Sequence, residues 1–348
     1  MKIDGYLREY IAGEREHQQP ASVKPFGVYD RLLDFTSRGK MIRGGLAHLA
    51  YSLYIDRTDP GLEEEIVKLG AVFELLQSAL LIHDDIMDKD EMRRGSDTIY
   101  YQYVSFAREK DGWDAYHTGE AMGICSGDIA FFLAFNLLSS LRLPPDIHRE
   151  ICLLSTREMI HVGSAQMIDV YWGTRKNDIG EADVLDLYRY KTGRYTYALP
   201  FKAGAIIAGA PGEECGRIEK IGEELGIVFQ IVDDELGLFG SEEKVGKPVG
   251  SDIREGKKTL HMLSLLHRAS PDERKKVLSI LGNPGITGND IELVRSLMVK
   301  HGVRETIREK IKAMTEEVWG KTFALDMKNP LAGDILRQLI KYNMERVF

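Results

Sequence analysis

Apolar residues recur at three- and four-residue intervals along most of this 348-residue chain. In "GLEEEIVKLGAVFELLQSALLIHDDIMD", residues 61–88, Ile66, Leu69, Val72, Phe73, Leu76, Leu80 and Ile86 share one helical face. Similar stripes predict helices over 117–141, 146–172, 183–209, 213–239, 258–268, 271–281, 289–300, 303–325 and 330–345. Strand-like alternation is never sustained. "LPPD" (143–146) and "GNPG" (282–285) break helices, and "SPDE" (270–273) reads as a cap with proline in the first turn. No linker, repeat or low-complexity tract divides the chain, so the pattern predicts one all-α domain over residues 1–348.

Composition narrows the partners. A net charge of −8 argues against nucleic acid, which needs a positive field. The three cysteines, Cys125, Cys152 and Cys215, stand far apart and form no CxxC pair, which fits a reduced compartment. The charged N-terminal stretch has no apolar signal region, and no run of about 18 uncharged apolar residues predicts an integral membrane segment. A cytoplasmic protein is expected.

Three polar segments interrupt the stripes: "SRGKMIRGGL" (37–46), "HDDIMDKDEMRRG" (83–95) and "FQIVDDELGLFGSEEKVGKPVGSDIREGKKTL" (229–260). Helical residues four apart are rotated by roughly 40° and separated by about 6 Å, so Asp84 and Asp88 project together while Asp85 points elsewhere. Like charges so placed are costly unless a cation joins them. Oxygen ligands without nearby cysteine favour Mg²⁺, which completes its shell with water and substrate phosphates. Each segment alone could be a solvated helix end or an ordinary surface loop. Their co-occurrence in one helical chain points to a metal site that faces substrate phosphates, with the nearby basic residues as phosphate holders.

In these residues the sequence resembles the trans-isoprenyl diphosphate synthases. "DDIMD" with "RRG" is similar to that family's first aspartate-rich motif, "VDDELG" with "GKPVGSD" to its second, and "GKMIR", "AQMID" (165–169) and "YKTGRY" (190–195) to three others. The resemblance covers about 37–260. It implies a helical bundle around a central apolar cavity, about three Mg²⁺ ions and a homodimer. Asp84 and Asp88 would hold metal with the allylic diphosphate, Asp85 supporting them; Asp233 would hold a third ion, with Asp234 behind it. Arg93, Lys191 and Lys247 would grip the allylic diphosphate, Gln166, Asp169, Thr192 and Gln230 would line its site, and Lys257 would close over it. Gly39, Lys40, Arg43, Gln77 and Arg94 would bind isopentenyl diphosphate. Two departures stand out: Gly237 where many members carry a third aspartate, and Gln77 where many have histidine.

The implied reaction condenses isopentenyl diphosphate with dimethylallyl, geranyl or farnesyl diphosphate. Its developing charge suits a ring of cations in a dry cavity, with apolar helices such as 127–138 shielding the carbocation. The chain-length pocket would begin one turn behind Asp84, at Ala79 and Leu80, and continue to Leu76, with Phe131, Phe132 and Phe135 opposite. In the family a bulky aromatic at the Ala79 position stops growth early, so alanine predicts geranylgeranyl diphosphate, with farnesyl or a C25 or longer product as alternatives. Rival readings are a His-Asp metal phosphohydrolase using His48, His83 and Asp84, a class I terpene cyclase, and a non-catalytic partner subunit. The first leaves Asp88 and the 229–260 segment unexplained, the second has no need of "GKMIR", and the third would be expected to have lost metal ligands.

Overall fold

The structure is a computed structural model that describes residues 2–18, 22–57, 59–110, 114–173, 179–240 and 250–346. In chain order its helices are α1 (Lys2–Gln18), α2 (Val28–Ser37), α3 (Ile42–Leu53), α4 (Pro60–Asp88), α5 (Ile99–Glu109), α6 (Ala115–Ser139), α7 (Pro145–Gly173), α8 (Glu181–Tyr188) and α9 (Leu199–Ile207). There follow α10 (Gly212–Phe239), α11 (Ser251–Glu255), α12 (Leu260–Arg268), α13 (Pro271–Ile280), α14 (Gly288–Lys300), α15 (Val303–Lys321) and α16 (Pro330–Glu345). Among the described residues the only strands are β1 (Met92–Arg93) and β2 (Ser96–Asp97), a short antiparallel pair just after α4. The fold is all-α.

Start and stop signals are in place at the ends of several helices. Asp59 caps α4 through Gly61 N and Leu62 N, with Pro60 supplying the fixed φ of the first turn. Lys89, left-handed at φ 57°, closes the other end. Ser270 and Glu273 form the capping box that "SPDE" predicted.

The stripe over 183–209 is one helical run with a change of pitch. Between α8 and α9, residues 189–198 wind as a π-helix, a form that recurs at functional sites. This stretch is "YKTGRY" and its neighbours. Gly193 permits it to touch α10: a Cβ there would stand 2.8 Å from Glu223 O, and one on Gly226 only 2.5 Å from Gly193 Cα.

The buried apolar residues form two clusters. The larger joins α1–α7, α9, the first half of α10, the end of α15 and α16; the smaller joins α8, the second half of α10 and α11–α15. Two helices, Pro60–Asp88 and Ala115–Ser139, are long and apolar enough to cross a membrane, and 78% of the first helix's apolar window lies inside the protein against 44% of the second's.

Candidate active site

The acidic end of α4 is organised by one arginine. Asp85 is fully buried and accepts from Arg93 Nε at 2.5 Å. The same guanidinium lies 3.6 Å from Asp84 Oδ2 and 3.7 Å from Asp90 Oδ2. Asp85 thus anchors Arg93, and Arg93 in turn braces the turn after α4. Asp84 Oδ1 accepts from Gln166 on α7 at 3.0 Å. Asp88 accepts from Lys257 at 3.1 Å. Burial pushes the Asp88 carboxyl above its ordinary range; Lys257 pulls it back and Asp84 pushes it further.

Asp88, Asp90 and Glu255, all half-buried, each offer one oxygen, and these oxygens lie within 4.8 Å of one another. Burial, opposed by Lys257 and reinforced by Asp88, lifts the Glu255 carboxyl to about 7. An all-oxygen donor set carrying surplus negative charge fits a hard divalent cation such as Mg²⁺. The sequence grouped Asp88 with Asp84 and Asp233 instead. Asp90 and Glu255 were not singled out, because no repeat of the DDxxD spacing marks them.

On α10, Asp233 pairs with Arg346 at 2.6 Å, and the guanidinium stacks 4.7 Å over Phe229. Asp234 is buried: Oδ1 accepts from Gln230 at 2.8 Å and Oδ2 from the Tyr188 hydroxyl. Thr192 donates to Gln230 Oε1 at 2.6 Å, so two residues of the expected allylic site meet Asp234 in one chain of bonds. Lys191 donates to Asp169. Against burial, Asp252, Asp88 and Glu255 hold Lys257 well above its usual pKa. Lys247 lies outside the described residues.

Gly237, the departure in the second motif, has a neighbour in the right place. A Cβ on Gly237 would stand 3.2 Å from Asp252 Oδ2, and Asp252 lies 3.8 Å from Lys257. The carboxylate missing from α10 has a counterpart in Asp252 on α11.

The residues expected to take isopentenyl diphosphate gather beside α3. Arg43 donates to Tyr195 at 3.0 Å and Thr196 at 2.8 Å, its guanidinium lying 4.7 Å over the Tyr195 ring. Tyr195 donates to Gln77 at 2.8 Å. A Cβ on Gly39 would be 3.4 Å from Arg94 Nη1, which places "GKMIR" beside "RRG". Burial, then Arg93, depresses the Arg94 guanidinium, whereas burial lifts the Glu74 carboxyl between Arg43 and Arg94. Lys40 is exposed, and its charge reaches Asp233. Tyr195 links Arg43 to Gln77 and was missed as a site residue, though it closes "YKTGRY".

Among the described residues the non-glycine positions with positive φ are Met41, Lys89 and Arg94, at 51°, 57° and 52°. All three lie in the motif segments, where such strain concentrates.

Behind Asp84, Ala79 and Leu76 are buried and Leu80 is half-buried. Phe131 and Phe135 pack partly against the core, but Phe132 is 72% exposed and faces away. The hydrolase reading loses its centre: His48 bonds Glu63, whereas His83 contacts the Ile124 carbonyl.

Residues 28–298 match the Polyprenyl synthetase family. The geranylgeranyl diphosphate synthase of Sulfolobus acidocaldarius is 30% identical over 99% of this chain and 95% of its own length. The geranylfarnesyl diphosphate synthase of Aeropyrum pernix is 30% identical over 82% of this chain and 85% of its own. The crystal structure of a geranylgeranyl pyrophosphate synthase from Corynebacterium glutamicum, complexed with isoprenyl diphosphate and magnesium, superposes with a TM-score of 0.91, at 27% identity and 99% coverage of both chains. Motifs, fold and relatives agree, and the chain belongs to the polyprenyl synthetase family of prenyltransferases, as an isoprenyl diphosphate synthase.

Proposed function

We propose that the protein condenses an allylic diphosphate with isopentenyl diphosphate head to tail, using about three Mg²⁺ ions, and releases geranylgeranyl diphosphate as its main product. The observation that carries this reading is Lys257, which lies between Asp88 of the first acidic motif and Asp252 beside the second. A cation there faces whatever anion the two motifs hold. Magnesium on Asp84, Asp88 and Asp233 would supply the charge that lets the diphosphate leave. Lys191 and Lys257, released from their carboxylates, bind the allylic diphosphate, and Lys247 is assigned the same task. Arg43, Arg94 and Lys40 hold the second diphosphate, while Glu74 and Tyr195 orient those guanidiniums. The allylic C–O bond breaks, a C–C bond forms to the terminal alkene carbon of isopentenyl diphosphate, and a proton leaves to the departing diphosphate.

The C20 product rests on Ala79, too small to block a chain growing along α4, and on relatives that bear geranylgeranyl and geranylfarnesyl names. One domain, a cytoplasmic location and a homodimer complete the proposal. The outward apolar residues of α6 and α7, Phe132, Leu153, Ile160 and Met167, are 52% or more exposed and support the dimer. Incubation with labelled isopentenyl diphosphate, farnesyl diphosphate and Mg²⁺ tests the reading: extracted alcohols should run as C20 after dephosphorylation. Phosphate release without a new C–C bond would overturn it.

A further inference from the structure

The second acidic helix is fastened to the segment after Lys257 at two successive residues. Tyr188, at the end of α8, is buried; its hydroxyl donates to Asp234 Oδ2 and accepts from the backbone N–H of Leu260 at 3.2 Å. Leu260 opens α12, so its N–H has no partner within the helix and takes the phenol oxygen instead. The neighbouring pair repeats the arrangement. Glu235 accepts from His261 Nε2 at 2.9 Å, and from Arg304 and Arg308 at 2.8 and 3.0 Å. Asp234 and Glu235 therefore hold Leu260 and His261 in matching order.

The two fastenings differ in what they reach. Glu235 binds His261 on α12 and Arg304 and Arg308 on α15, whereas the Tyr188 bridge continues through Asp234 to Gln230 and Thr192. At its other end it fixes Leu260, three residues beyond Lys257. Tyr188 also stands three residues before Lys191 in the same helical run. We propose that Tyr188 is a positioning residue of the diphosphate site: by bridging Asp234 to the Leu260 N–H it sets where Lys257 stands relative to Asp233. The inference deepens the proposed condensation and rests on it.

Tyr188→Phe keeps the ring and removes the bridge. Two measurements separate positioning from mere packing: the rise in melting temperature caused by Mg²⁺ with inorganic pyrophosphate, and the KM for each substrate. We expect that rise to fall to half or less, the allylic KM to increase at least fivefold, and the isopentenyl KM to stay within twofold. Asp234→Ala removes the same bridge from its other side, and the double variant should be no worse than the poorer single one. An unchanged pyrophosphate response and allylic KM in Tyr188→Phe would overturn the assignment. So would an equal loss in both KM values together with a lower melting temperature of the ligand-free protein, which is the pattern of a structural role. A wild-type protein indifferent to Mg²⁺, pyrophosphate and both substrates would instead overturn the condensation reading itself, and this inference with it.

Discussion

Arg346 Nη2 lies 2.6 Å from Asp233 Oδ1, so the residue that caps the last helix places a cation on the carboxylate assigned to the third metal. The guanidinium already offsets that carboxylate's charge, so it competes with a metal ion for the same attraction. Replacing Arg346 with Gln should lower the Mg²⁺ concentration for half-maximal condensation by about two- to fivefold, the worth of a partly exposed ion pair. A magnesium titration at saturating substrates checks it, and an unaltered midpoint contradicts the competition.

The metal assignment has a sharper test. Asp84→Ala or Asp233→Ala should cut condensation by about a hundredfold to a thousandfold, the scale of losing an electrostatic contact to the leaving group. Far-UV circular dichroism should stay helical. Chelation of wild type with EDTA should give the same loss, reversed by excess Mg²⁺. Near-normal turnover in either variant would refute the ligand set.

Lys257 is surrounded by Asp88, Asp252 and Glu255. Lys257→Gln leaves these carboxylates facing one another, which should destabilise the ligand-free protein by about 2–3 kcal/mol, the cost of breaking a largely buried charge pair. Added Mg²⁺ should restore most of that, because a cation again occupies the cluster. Thermal melts with and without Mg²⁺ read the difference.

Ala79 lies one turn behind Asp84 and is fully buried. Ala79→Phe should move the main product from C20 toward C15, at a stability cost of about 1–3 kcal/mol from overpacking. Chromatography of dephosphorylated products decides. An unchanged chain-length distribution removes Ala79 from the path.

Burial raises the Glu74 carboxyl, with Arg43 and the Gly44 N–H opposing. The folded protein therefore holds that proton more tightly than the unfolded chain. The resulting stability is complete below the ordinary carboxylate pKa and is lost as pH rises through the raised one. Glu74→Gln should then raise the melting temperature relative to wild type at pH 8 and much less near pH 4. Equal effects at both pH values would contradict the raised pKa.

How far the sequence reveals this molecule depends on the range of the signal. The helices α4, α6, α7 and α10 are legible because their stripes run for many turns, and the motif carboxylates because their spacing is local. Helix α1 is not: Ile3, Leu7 and Ile11 are buried at four-residue intervals, but charged residues crowd the rest of its surface. Helices α2, α3 and α5 lie beside or overlap the polar segments 37–46 and 83–95, whose charged motifs interrupt their apolar stripes. The π-helical turn around Lys191 leaves the apolar period almost unchanged, so only coordinates reveal it. Asp252 beside Gly237, and Arg346 on Asp233, are tertiary pairings with no sequence period at all.

The division of the core into two clusters has a consequence for local stability. Helix α10 belongs to the larger cluster through Ile218, Ile221 and Leu225, and to the smaller through Val228, Ile231 and Val232. Ile82, beside the first acidic motif, sits in the larger cluster, whereas Ile253 and Leu260, flanking Lys257, sit in the smaller. Amide hydrogen exchange should resolve these as two cooperative units with separate opening free energies. A diphosphate gripped from both sides adds cohesion across that boundary, so bound ligand should slow exchange most in whichever unit opens first.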